Sequence, residues 1–167
     1  METELKNLIG KTINKIFISQ EHLKFETDMG DYVYEVEGDC CSHSYFYDFY
    51  GVKNILGKKV KDVSSVDLLT GDVFVTDQEG DEIKVYGYQI FIEDESWGEM
   101  TGVFSFRNSS NGYYGGEIKQ VLPRDEINLH YITSYQERMS ELRLSELMLK
   151  LSMPMTELTD DIIEVCV

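Results

Sequence analysis

At 167 residues the chain is long enough for one complete hydrophobic core and too short for two independent domains. Its hydrophobic content of 42% belongs to a folded protein, although 31 acidic against 15 basic side chains leave a formal charge of −16. Such a surface repels phosphate backbones and anionic lipid, so direct binding to nucleic acid or membrane is disfavoured and basic proteins are the natural complement. No apolar run approaches the roughly 20 residues of a membrane span, and Met1-Glu2-Thr3-Glu4 lacks the basic and apolar regions of a signal peptide. Three cysteines fit reduced thiols better than a disulfide framework, and the expected location is the cytoplasm.

The N-terminal part carries an imperfect repeat. Asn7-Leu8-Ile9-Gly10-Lys11-Thr12-Ile13-Asn14-Lys15-Ile16 returns as Asn54-Ile55-Leu56-Gly57-Lys58-Lys59-Val60-Lys61-Asp62-Val63. Each copy leads into a hairpin-like segment with an Asp/Gly turn, Phe25 to Tyr32 in the first and Phe74 to Asp81 in the second. Leu23-Lys24-Phe25-Glu26, Tyr32 to Glu37, Ile83 to Tyr86 and Val103 to Arg107 alternate at period two, as strands do. With prolines only at Pro123 and Pro154, the whole region can sit in one antiparallel sheet. Asn111-Gly112 predicts a third hairpin, joining Val103–Arg107 to Glu117–Val121.

Asp39-Cys40-Cys41-Ser42-His43 concentrates two thiols and an imidazole. On a strand Cys40 and Cys41 point to opposite faces, whereas Cys41 and His43 share one, which makes half a metal site that Asp39, His22, His130 or Cys166 would have to complete. A Cys41 nucleophile with His43 as its base is disfavoured, because such groups usually converge from separate segments. The competing reading makes one cysteine a small buried hydrophobe and gives the turn to Asp39, Ser42 and Ser44. No acid and base pair is evident, so a non-enzymatic protein without a cofactor is expected.

Tyr45 and Tyr47, with Tyr113 and Tyr114, could form a stacking platform for a nucleotide, but without accompanying Arg or Lys a core and interface role is favoured. Glu93-Asp94-Glu95-Ser96-Trp97-Gly98-Glu99 is an acidic loop around the single tryptophan, and Glu93, Asp94, Glu95, Trp97 and Glu99 form the expected partner-binding rim. The acidic turns at Asp28/Asp31 and Asp77/Glu79/Asp81 lack the ligand spacing of an EF-hand loop.

Beyond Pro123 the pattern turns helical. Ser134-Tyr135-Gln136-Glu137 reads as a capping box opening a helix to about Leu151. One stripe of it could cover the sheet; the other, Leu144, Leu147, Met148 and Leu151, would need a second subunit or the final segment, which predicts a homo-oligomer. The expected fold class is α+β: mainly antiparallel sheet over residues 1–122, built from two related hairpin units and a third hairpin, with a C-terminal helical extension over residues 123–167.

The Gly-Lys strand entries at Gly10 and Gly57, the Asp39-Cys40-Cys41 segment and Ser110-Asn111-Gly112-Tyr113-Tyr114 resemble a small domain family of bacteriophages and bacterial mobile elements whose members have no known function. The resemblance covers roughly residues 5–122 and implies a phage or mobile-element origin, hence a host-cell cytoplasm; it supplies no catalytic residues. The leading expectation is an acidic interaction protein that inhibits a nucleic-acid-binding host defence protein, such as a nuclease, by competing with DNA or RNA, in the manner of an anti-CRISPR protein or a DNA mimic. The alternative is a protein that sequesters a nucleotide signal or a metal.

Overall fold

A computed structural model of the protein describes residues 2–39, 41–68, 82–94, 98–111, 114–121, 156–159 and 162–164. Each repeat unit opens with a short helical turn and a glycine. Lys6–Leu8 forms a 3-10 turn after helix α1 (Glu2–Leu5), and α2 (Val52–Ile55) is its counterpart. Ile9 follows at φ −58°, ψ 130° and Gly10 at φ 84°; Leu56 lies at φ −63°, ψ 131° and Gly57 at φ 74°. These are the central positions of type II turns, whose second place demands positive φ and so favours glycine.

The strands that follow, β1 (Thr12–Ile18) and β5 (Lys58–Val66), bury Ile13 and Ile16 in one case and Val60 and Val63 in the other. The spacing is three rather than two because each strand bulges at the same place, between Ile13 and Lys15 and between Val60 and Asp62. β1 and β5 pair with each other through Thr12↔Lys59 and Ile13↔Lys58, so a residue meets its own counterpart 47 positions later. Gly10 N donates to Val60 O at 2.9 Å and Gly57 N donates to Ile13 O at 2.7 Å. The repeat is therefore folded about a local two-fold axis.

Each unit continues as an antiparallel hairpin, β2 (His22–Thr27) with β3 (Gly30–Gly38) and β6 (Glu82–Asp94) with β7 (Gly98–Ser110). The fourth strands are exchanged. β4 (His43–Tyr50) leaves the first unit to pair with β7, and β8 (Gly116–Val121) leaves the second to pair with β3. The result is two layers, β1-β2-β3-β8 and β5-β6-β7-β4, continuous through the β1–β5 contact. Two short strands join the edges: β9 (Thr156–Glu157) on β1 and β10 (Ile162–Glu164) on β4.

Aromatic rings fill the space between the layers. Phe25 on β2 meets Phe49 and Phe104 of the other layer at centroid separations of 6.4 and 6.5 Å, and Phe49 and Tyr88 each stack on Phe104 at 5.5 Å. Tyr34 is fully buried with its hydroxyl donating to Glu4 O at 3.2 Å; burial, and secondarily the nearby Tyr32 and Glu4, push its pKa far above the ordinary value.

Two expectations are corrected, and two others fall outside the described residues. The fold class is all-β rather than α+β, because the described residues are nearly all antiparallel strand, with helix confined to short turns. The helix expected over residues 134–151, with Leu144, Leu147, Met148 and Leu151, lies outside the described residues; the described residues of 123–167 are the strands β9 and β10 and the two residues after β9, 158–159. The third hairpin does not form: both edges of β7 are taken, by β6 and β4, which sends β8 to the edge of β3. The hairpin of the second unit is made by β6 and β7; the segment 74–81 lies outside the described residues.

Truncating Phe104 to Ala should cost about 3–5 kcal/mol in urea unfolding, since the ring anchors contacts from both layers. Tyr34 stays neutral in the fold where an ordinary tyrosine, with a pKa of 10.0, ionises. Its raised value means that stability is intact below that pH and falls as pH rises above it. Tyr34→Phe removes the ionisation, so circular dichroism should show a shallower loss of stability above about pH 10 than in the parent protein.

Candidate functional site

The exchange of β4 and β8 makes the chain cross itself, and the two segments singled out by chemistry, 39–43 and 110–114, are the connections that cross. Asp39 N donates to Gly115 O at 3.0 Å, and Gly115 N donates back to the Asp39 carboxylate at 3.2 Å. Ser42 donates to Asp39 O from its backbone N at 2.9 Å and from its hydroxyl at 2.7 Å, and Ser44 Oγ donates to Glu37 O at 3.0 Å. On the other connection, Ser110 Oγ and Lys84 Nζ donate to Tyr114 O at 3.2 and 3.1 Å.

At the centre of the crossing two cross-strand pairs lie against each other, Gly38↔Gly116 of one layer and Ser44↔Asn108 of the other. Asn108 is wholly buried, and its Nδ2 donates to Ser44 Oγ at 2.9 Å and Ser42 Oγ at 3.1 Å. A Cβ at Gly38 or Gly116 would collide with these same polar atoms, Ser42 Oγ in the first case and Ser44 Oγ in the second. One pair gives up its side chains so that the other can be packed and hydrogen-bonded in a place that alternation assigns to the core. Phe104, Phe106 and Asn108 share the inward side of β7; a polar residue continuing an apolar period was the available signal, and it points to Asn108.

This arrangement organises a turn more than a reaction centre. Cys41 is exposed, with φ 67°, and precedes the strand instead of lying on it, so its side chain is not the buried small hydrophobe of the competing reading. Cys40 lies outside the described residues. His43 is exposed and stacks on Tyr45 at 5.4 Å. Among the described residues no group of three or more His, Cys, Asp and Glu could hold a metal ion, so Cys41 and His43 gain no third ligand there.

Tyr45 is buried, and Tyr47 carries the Arg107 guanidinium 3.5 Å over its ring, a cation–π contact that supplies the cation sequence reasoning found lacking. Tyr114 is half-buried in the second connection, and Tyr113 lies outside the described residues. Two further ion pairs lie on the first layer. His22 and Glu35 face each other across β2 and β3, both buried, with Nε2 and Oε2 3.8 Å apart. On the same layer partial burial opposes the Lys119 ammonium, but its hydrogen bond and charge attraction to Glu37, with Glu35 and Glu117 nearby, outweigh this and raise its pKa.

The acidic loop closes the longest hairpin. Glu93 is exposed on β6 and stands in register with Glu99 on β7, while Asp94 is in register with Gly98; Glu95 and Trp97 lie outside the described residues. The register sets two acidic positions opposite each other at this end of the hairpin.

Comparison with known proteins follows the crossing. Residues 6–120 match the model of DUF7448, a domain of unknown function; the match ends within β8, one residue short of its end. An uncharacterized protein, L278, of Acanthamoeba polyphaga mimivirus is 35% identical over 121 residues, covering 69% of this chain and 87% of the relative. No solved structure matches.

Gly116→Ala should destabilise the protein by about 1–3 kcal/mol through overpacking against Ser44. Adding Ser44→Ala should restore part of that loss, and a thermodynamic double-mutant cycle measures the coupling.

Proposed function

Because the chain belongs to the DUF7448 family and has a giant-virus relative, we propose that it is an interaction protein of viral or mobile-element type, without catalytic activity, whose acidic surface occupies a basic, nucleic-acid-binding face of a host protein. The observation that favours this reading is the Glu93↔Glu99 register at the end of the β6–β7 hairpin, which sets two acidic positions opposite each other. Stoichiometry supports it. With 31 acidic and 15 basic side chains, pairing every cation with one carboxylate still leaves a net charge of −16. Such a surplus of negative charge attracts a basic groove at long range.

The partner class favoured by this chemistry is a defence nuclease whose DNA or RNA channel is lined by Lys and Arg; the protein would act by excluding the nucleic acid. Among the described residues the metal alternative finds no group of three or more His, Cys, Asp and Glu that could hold an ion.

A panel of purified host nucleases, each loaded with fluorescently labelled duplex DNA, gives the test. The protein should displace DNA from at least one of them, with affinity falling at least about tenfold between 50 and 300 mM salt, and Glu93→Lys should weaken the displacement. Displacement insensitive to both salt and Glu93 would overturn the reading.

A further inference from the structure

Net charge conceals how unevenly the cations are placed. Residues 6–15 and 53–61, the turn and first-strand segments of the two repeat units, hold seven of the 15 basic side chains, all of them lysine, and none of the 31 acidic ones. Pairing of β1 with β5 brings these segments together, with Thr12 opposite Lys59 and Ile13 opposite Lys58. Lys6 and Lys53, and likewise Lys11 and Lys58, hold the same position in the two copies, 47 residues apart, so they lie on either side of the local two-fold axis. Two basic stretches distant in sequence thus become one patch.

Lys6, Lys15, Lys53, Lys58, Lys59 and Lys61 are exposed. Lys11 is half-buried: it donates to Asn7 O at 2.6 Å and lies 5.4 Å over the Tyr32 ring, which ties it to the first turn. The carboxylates bordering the patch are engaged locally. Asp62 accepts from Val63 N at 2.8 Å, Asp28 from Thr12 N at 2.8 Å and Glu4 from Gln120 N, while Glu26 lies 3.2 Å from Lys24 Nζ. Surface ion pairs contribute little to stability, so an exposed lysine can exchange such a partner for a phosphate.

We propose that this lysine patch is a docking surface for the phosphate backbone of duplex nucleic acid. A lysine ammonium is a compact point charge that takes a phosphate from many directions, whereas base edges are read mainly by arginine and amide side chains; an all-lysine patch therefore binds without regard to sequence. The two backbones of a duplex are related by two-fold axes perpendicular to its length, so lysines repeated about one axis of the protein can meet both strands alike. Shape favours a duplex over an anionic membrane. At physiological ionic strength charges act over about 8 Å, and a narrow rod needs only the patch, whereas a flat membrane must also face the carboxylates around it. This goes beyond the acidic-surface reading and does not depend on it.

Fluorescence anisotropy of the full chain with a labelled duplex DNA of mixed sequence, between about 50 and 200 mM salt, tests this. Affinity should fall linearly with salt on a double-logarithmic plot, and a duplex of unrelated sequence should bind within about twofold. Lys59→Gln combined with Lys61→Gln should lower the slope by about 2 while the protein stays folded by circular dichroism, and Lys15→Gln combined with Lys53→Gln should do the same. No binding at the lowest salt, or slopes unchanged in both double variants, overturns the proposal. Equal binding to phosphatidylserine vesicles, lost in the same variants, would assign the patch to a membrane and overturn it. An oligomer that grows with protein concentration and vanishes in these variants would assign the patch to the carboxylates of a second copy and overturn it as well. In the nuclease displacement assay both double variants should act as the parent does, which separates failure here from failure of the acidic-surface reading.

Discussion

Two backbone hydrogen bonds, Gly10 N to Val60 O and Gly57 N to Ile13 O, fix how everything else in this protein is arranged. They place the two repeat units antiparallel at their first strands, and that alone decides which edges remain for the rest. Once β1 and β5 are joined, each unit offers a three-stranded sheet whose outer edge, β3 or β7, faces the other unit's departing chain. The exchange of β4 and β8 satisfies both edges at once, and the aromatic core is what the two resulting layers enclose. Neither unit contains a full layer of its own, so the domain is indivisible although its sequence is nearly halved.

The strands were legible because they alternate, and the repeat because its glycines sit at type II turns that few other residues tolerate. Pairing was not legible to the same degree. Asn111-Gly112 carries a strong local hairpin signal, yet β7 is an inner strand with both neighbours already present, and the choice of β3 as partner for β8 depends on a contact between residues some 80 positions apart in the chain, such as Glu37 and Lys119. Local propensity loses to global edge satisfaction there. The same limit hid the crossing. Gly38, Ser44, Asn108 and Gly116 have no motif in common, and only the meeting of two strand pairs from different units makes them a set. The α+β expectation failed for a related reason: the tail after residue 155 has too few residues per strand to show a period, and its strands exist only as additions to edges supplied by β1 and β4.

Charge is also less uniform than its total suggests. Lys6, Lys11, Lys15, Lys53, Lys58, Lys59 and Lys61 lie in the two turn and first-strand segments that meet at the two-fold axis, whereas Glu93 and its register partner Glu99 close the β6–β7 hairpin. Lys15 stands across from Glu26, and Asp28 accepts from Thr12 N at 2.8 Å, so carboxylates of the first hairpin border the lysines. At physiological ionic strength charges act over about 8 Å, which makes such local alternation, more than the net figure, what an approaching surface meets.

The reciprocal exchange has a consequence for synthesis. A ribosome delivers the first unit complete through Tyr50 while β7 is still unmade, so β4 waits without its partner for about fifty residues of elongation, and β3 waits longer for β8. During that interval the nascent protein displays unsatisfied edges and aromatic side chains to the crowded interior of the cell. Pairings this distant also make acquisition of the native state slow once the last strand emerges. A protein so built exposes unpaired edges for longer during translation than one whose strands pair in the order in which they are made.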